Sequence, residues 1–273
     1  MVGPESLPLL ILLILLVGAF AGIMAGLLGV GGGIIIVPAL FLVLESFGFD
    51  SAITMHIAVG TSLATIILTS IRSVRKHQAK GAVDDSILRS WAPGLFLGAV
   101  VGILIADQVS SSVLAIVFAV IALLVSVNMA ISGDDYLGDH HLPGGLGGGA
   151  LSGLIGTLST LMGIGGGTLG VPTLSYFGIP IHRAVATSAG FGVVIAVPAT
   201  IGFIWSGWGL EGLPPWSLGF VNLPAFTLIV GATMVFVPLG VRLAHWLKPL
   251  WLRRAFALFL ALTAIRMIWQ IVG

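Results

Sequence analysis

Cysteine is absent from the 273 residues, and only 8% of them are Asp, Glu, Lys or Arg. The first absence excludes disulfides and thiolate metal sites, while leaving the redox compartment open. The second excludes a water-soluble domain, in which about a quarter of residues carry charge. The formal net charge is only +1, so the charge balance gives no reason to expect a nucleic-acid partner. Carboxylates are missing from the middle of every apolar segment, since Glu45, Asp50 and Asp107 fall near segment ends. A carboxylate proton relay or a cation path through a membrane therefore finds little support. Gly-x-Ser-x-Gly, His-Glu-x-x-His and phosphate-loop patterns are missing too, which leaves enzyme chemistry without a foothold and implies no cofactor.

What the chain has instead is apolar sequence: 58% hydrophobic residues and a mean hydropathy of +1.17. Stretches such as Leu7–Leu28, Ser90–Ala106, Val113–Ile131, Val221–Leu243 and Ala255–Val272 approach or exceed the roughly 20 residues that cross a bilayer as helix. Backbone groups in lipid must be satisfied internally, and long apolar runs without alternation favour helices over a barrel. The fold class is an all-α polytopic membrane protein. Ala19-Phe20-Ala21 resembles a signal cleavage motif, but Glu5 and no basic residue precedes it, so the segment reads as a mature membrane helix.

The chain divides into two halves, residues 1–131 and 144–273, joined by a polar link over 132–143. Gly29-x-Gly31-Gly32-Gly33-x-x-x-Val37-Pro38 returns as Gly163-x-Gly165-Gly166-Gly167-x-x-x-Val171-Pro172. His56-x-Ala58-Val59-x-Thr61-Ser62 returns as His182-x-Ala184-Val185-x-Thr187-Ser188. Two motifs repeated in the same order indicate duplication. Each half reads as five segments: 7–28, 34–46, 51–74, 89–106 and 111–131, then 145–162, 168–178, 181–204, 222–245 and 251–271. The stretch 205–216 reads as a loop, marked by three glycines and Pro214-Pro215. An odd number of segments predicts inverted halves. With both termini outside, ten of the eleven Lys and Arg residues fall on the cytoplasmic side, Arg266 being the exception. The acidic inter-half link then lies inside with no basic residue, although acidic residues count little in this rule.

Glycine runs are costly inside a helix, and these two predict broken helices. The half-helices after them are about 11–13 residues, roughly 16–20 Å at helical rise, so their N-termini fall inside a core about 30 Å thick. Free N–H groups and the helix dipole there suit a small anion. Candidate substrate-binding residues are Gly31, Gly32, Gly33, Thr61 and Ser62 in the first half. In the second they are Gly165, Gly166, Gly167, Thr168, Thr187 and Ser188. The four hydroxyls of Thr61, Ser62, Thr187 and Ser188 sit at a matching depth, although a membrane Ser or Thr also bonds its own i−4 carbonyl. Gly18, Gly22 and Gly26, Gly94, Gly98 and Gly102, and Gly145, Gly149 and Gly153 follow helix-packing periodicity instead.

His56 and His182 are candidates for proton coupling, or simply interfacial histidines. Arg183 either draws anions to a cytoplasmic mouth or anchors topology. A second reading is a metal-cation permease using His56, His182, His140 and His141. An intramembrane protease needs a Ser–His pair, and His182 and Ser188, six apart, fall on different helix faces.

The paired GVGGGIIIVP and GIGGGTLGVP breaks, each followed by HxAVxTS, resemble the sulfite exporter TauE/SafE family of membrane permeases over nearly the whole chain. The resemblance implies a transporter of small sulfur-containing anions such as sulfite, sulfoacetate or sulfonates, exported across a prokaryotic inner membrane. Position by position, it sets Gly31, Gly32, Gly33 and Thr61 opposite Gly165, Gly166, Gly167 and Thr187. The partners implied are that anion and the lipid bilayer, with homo-oligomerisation left open.

Overall fold

The computed structural model describes residues 5–28, 32–131, 141–244 and 249–272. Ten helices account for nearly all of it, in the order α1 Leu7–Leu28, α2 Gly33–Ser46, α3 Ser51–Gln78, α4 Asp85–Gln108, α5 Ser111–Ile131, α6 Gly145–Met162, α7 Gly166–Tyr176, α8 Ile181–Ser206, α9 Leu223–Ala244 and α10 Pro249–Val272. Seven are long and apolar enough to cross a membrane, while α2 is not, at 14 residues. At 11 residues α7 is shorter still.

Helices α1, α5 and α6 begin and end where the sequence places them. The others differ at their ends. α3 runs one turn further, to Gln78, so Arg75, Lys76 and His77 form its last turn. α4 starts at Asp85 rather than 89, because the Asp84 carboxylate accepts from Ser86 N and Ile87 N at 3.1 and 3.2 Å and caps the first turn. Arg89 is thereby helical, and the connection shrinks to 79–84. α7 begins two residues early, at Gly166, and stops at Tyr176 rather than 178. The half-helices share one ending: Phe47 then Gly48 (φ 74°), and Phe177 then Gly178 (φ 77°). The expected loop over 205–216 loses its first two residues to α8. Beyond it lies an element that hydropathy does not anticipate: Ser217–Leu218 and Val221–Asn222 form a short antiparallel hairpin ahead of α9.

Helices α3 and α8 pack on each other at the centre, while α1 lies along α9, α4 along α6 and α5 against α10. Each of these four contacts joins an element of residues 1–131 to one of residues 144–273. Without water to compete, hydroxyl-to-carbonyl bonds stitch three of them. Thr233 donates to Gly18 O (3.1 Å), Thr157 to Gly98 O (2.9 Å) and Ser126 to Ala257 O (2.7 Å). Outward faces carry Leu9, Leu12, Leu97, Leu104, Leu124 and Leu258 exposed, as a lipid-facing surface requires. Trp205, Trp208 and Trp216 stand exposed around the hairpin, in the manner of interfacial aromatics.

The packing glycines divide. A Cβ on Gly18 would meet Ile229 Cα at 2.9 Å, one on Gly22 would meet Thr233 Cα at 2.9 Å, and one on Gly98 would strike the Gly153 carbonyl. Gly145 and Gly149 face open space, so packing does not account for them. Alanine at Gly149 is therefore expected to raise thermal stability by about 0.5–1 kcal/mol, the ordinary helix-propensity gain. Alanine at Gly98 is expected to lower it, read by melting in detergent.

Candidate functional site

The two glycine breaks touch. α6 ends at Gly163, whose φ of 64° is left-handed, a conformation glycine adopts without penalty. Gly163 N donates to Thr160 O (3.1 Å) and Ile164 N to Ser159 O (2.9 Å), the paired bonds of a Schellman ending. The chain then crosses to α7 beside the start of α2. A Cβ on Gly33 would lie 2.9 Å from Gly163 O, 3.1 Å from Ile164 Cα and 2.8 Å from Ile66 Cδ1. Gly165 meets the same Ile66 side chain, at 3.2 Å. Both half-helices thus begin against one residue of α3. On the far side of Gly163, an added Cβ would meet Val59 Cα at 2.8 Å and Val37 Cγ2 at 2.9 Å. Only glycine lets these three backbones approach so closely.

Ser62, Gly32, Gly33, Gly165, Gly166 and Gly167 are all buried here. Ser62 donates to Gly163 O at 2.7 Å, so its hydroxyl proton is committed to holding the break. Among the described residues no side chain caps the N-terminus of α2 or α7, which leaves their first amides to another partner. Gly166 packs against Phe191 and, at 3.0 Å from its Cβ direction, Gly192 N. A Cβ on Gly192 would strike the Ser70 hydroxyl and lie 3.7 Å from Gly166 N, so both groups border Gly192. Ser70 lies outside both repeated motifs, and nothing local in the sequence marks it. Thr168, in the first turn of α7, is 5% exposed. Ser188 is fully buried beside Gly170, and its hydroxyl has no partner among the described residues. Gly31 and His140 lie outside the described residues.

Thr61 and Thr187 do not point their hydroxyl oxygens at the breaks. Each accepts a backbone N–H from the residue that caps a helix in the other half. Thr61 Oγ1 accepts from Asn222 N at 3.0 Å, and Thr187 Oγ1 from Asp84 N at 2.9 Å. Asn222 Oδ1 caps α9 by accepting from Ala225 N at 3.0 Å, as Asp84 caps α4. Gly60 allows the first contact, since the hairpin carbonyl of Phe220 would sit 2.7 Å from a Cβ there. Arg183 reinforces the second through a 2.9 Å ion pair with Asp84, whose carboxylate is the less exposed partner. Sequence signals for the two caps exist, an Asp or Asn directly before each helix. Their threonine partners lie 161 and 103 residues away, beyond any local signal.

The two histidines part company. His56 is buried, with Nε2 3.1 Å from Ala106 O and its ring stacked on Phe220 at 4.9 Å. His182 is exposed, next to the Arg183–Asp84 pair. Ala106 and Asp84 mark opposite ends of α4, a 24-residue helix about 36 Å long at helical rise. His56 and His182 therefore cannot share one metal ion. Ser188 is buried while His182 is exposed, which separates that Ser–His pair as well.

A family model described as "Sulfite exporter TauE/SafE" matches residues 14–267. A "Probable membrane transporter protein" of Haemophilus influenzae is 36% identical over 264 residues, covering 94% of this chain and 97% of the relative. Another protein of that description, from Methanocaldococcus jannaschii, is 28% identical over 254 residues and 90% of each chain. No solved structure matches. With a family model reaching from within α1 to within α10 and relatives aligned nearly end to end, this multi-pass membrane protein belongs to the sulfite exporter TauE/SafE family of membrane transporters.

Proposed function

We propose that the protein is a permease for small sulfur-containing oxyanions of the sulfite, sulfonate and sulfoacetate type. It exports them across a prokaryotic inner membrane by alternating access of two inverted repeats, residues 1–131 and 144–273. The observation that carries this reading is the contact between the two breaks, Gly33 against Gly163 and Ile164. It sets two uncapped half-helix N-termini beside one another, and the summed dipoles favour negative charge there. An oxyanion accepts from Gly33, Gly166 and Gly167 amides and from the hydroxyls of Ser70, Thr168 and Ser188. None of these donors carries a full charge, so release stays easy.

The repeat reading draws support from two further facts. All four principal helix pairings join one half to the other. The two threonine clamps also connect equivalent positions, Thr61 with the α9 cap and Thr187 with the α4 cap. In the conformation described both clamps are closed and the breaks are buried, so a substrate must wait for one clamp to part. Thr61 and Thr187 serve as gates in this scheme, with the anion held between them. The positive-inside pattern puts the Thr187 clamp toward the cytoplasm and the Thr61 clamp toward the outside.

Counterflow in proteoliposomes tests the substrate class. Preloaded sulfite is expected to drive uptake of labelled sulfite and of sulfoacetate, with acetate and neutral sulfoxides inert. Uptake of a divalent metal with no response to any sulfur oxyanion would overturn the reading.

A further inference from the structure

At the face opposite the basic end of α3, a cavity of about 160 Å³ opens between four helices. It is lined by Phe41 and Glu45 of α2, Ser51 of α3, Ser111 and Ser112 of α5, and Gln270 of α10. Gln270 Nε2 donates to Glu45 Oε2 at 3.3 Å. That bond leaves Glu45 Oε1 and Gln270 Oε1, both buried and neither with a hydrogen-bond partner among the described residues. Ser111 Oγ is fixed by the amide of Met55, which donates to it at 3.0 Å, and keeps a lone pair free. Two buried acceptors without a donor are costly, and a bound cation relieves both at once.

We propose that this pocket binds a sodium ion. The donors are all oxygens, from one carboxylate, one amide and three hydroxyls, which suits a hard cation rather than zinc or copper. A single carboxylate balances a single positive charge. Glu45 is the one carboxylate on the lining, and among the described residues no group of three His, Cys, Asp or Glu forms, so a monovalent ion fits the charge of the pocket better than a divalent one. The site also lies at the C-terminal turn of half-helix α2, where the dipole is negative. The neighbouring N-termini work the other way, but each carries its own acceptor. Asp50 Oδ1 accepts from Ala52 N (2.9 Å), and Ser110 Oγ from Val113 N (3.4 Å). The second half offers no copy. Ser175 precedes Tyr176-Phe177-Gly178 where Glu45 precedes Ser46-Phe47-Gly48, so one ion binds per chain. It ties α2, whose other end is the break, to α5 and α10.

The test is thermal unfolding of the purified full chain in detergent, titrated with sodium, potassium or choline chloride at constant ionic strength. Sodium is expected to raise the melting temperature saturably, with choline giving no such rise and potassium a weaker one. Glu45→Gln keeps the shape and the Gln270 contact; it is expected to melt like the parent in choline and to lose the sodium response. Gln270→Ala is expected to weaken it. A parent protein without a saturable sodium response overturns the proposal, and so does a response left intact in Glu45→Gln. An equal response to potassium overturns the assignment to sodium. Chloride is common to all three titrations and neither a sulfur oxyanion nor transport enters the assay, so its outcome is independent of the permease reading.

Discussion

Gly33→Val is expected to push the two glycine breaks apart and, on the proposed anion site, to abolish sulfite binding. Its Cβ alone would sit 2.8–3.1 Å from Ile66 Cδ1, Gly163 O and Ile164 Cα. Two of those three neighbours are backbone, so they cannot swing aside. Overpacking of this kind costs about 1–3 kcal/mol, which a helical bundle of this size survives in lowered form. The measurement is stabilisation by sulfite in a thermal melt, after gel filtration has selected folded protein. Gly48→Ala supplies the comparison. Gly48 has a φ of 74° and nothing within 4 Å, so alanine there strains the backbone at a site remote from the breaks. Gly48→Ala should melt lower yet keep its sulfite response, whereas Gly33→Val should lose the response outright. A folded Gly33→Val protein that sulfite still stabilises would show that the breaks need not touch.

Locking either threonine clamp is expected to stop transport if the clamps serve as the proposed gates. The absence of native cysteine makes the experiment clean, because any disulfide is an engineered one. Cysteine pairs replace Thr187 with Asp84, or Thr61 with Asn222. Each threonine hydroxyl lies 2.9 or 3.0 Å from its partner's backbone nitrogen, which makes these pairs the natural positions for a disulfide lock. Oxidation is expected to reduce counterflow to background in either pair, and reductant to restore it. Recovery separates gating from misfolding. The Thr187 pair also removes the ion pair of Asp84 with Arg183, so Arg183→Gln is its control. An exposed bridge of this type contributes little to stability, and Arg183→Gln should transport at a reduced but measurable rate. Undiminished counterflow through either oxidised pair would dismiss the clamps as gates.

Helix boundaries are legible in the sequence where apolar runs are bounded by glycine or proline. α1, α5 and α6 have sharp hydropathic edges, and the half-helices come directly from the glycine runs. Boundaries are lost where helix continues into water. Arg75–Gln78 is polar, yet Arg, Lys and Gln are good helix formers, and hydropathy alone ends α3 too soon. The hairpin before α9 has two residues per strand, too few for an alternation to register. Repetition marks the right hydroxyls without revealing their partners. Ser62 bonds a carbonyl of the opposite break, and Thr61 and Thr187 hold helix caps, all through contacts more than 100 residues apart in sequence. Duplication also suggests one role for His56 and His182. Burial separates them, because Phe220 of the hairpin covers only the first.

Transport as proposed requires negative charge to be held where the two snapped helices meet. Selenite replaces sulfite with a heavier atom of the same oxyanion geometry, and selenium scatters anomalously. Crystals of the protein grown with selenite should show one strong selenium peak between the starts of α2 and α7, within hydrogen-bonding reach of the Gly166 and Gly167 amides. A peak confined to the protein surface, with continuous apolar packing between Gly33 and Gly166, would refute an anion site at the breaks.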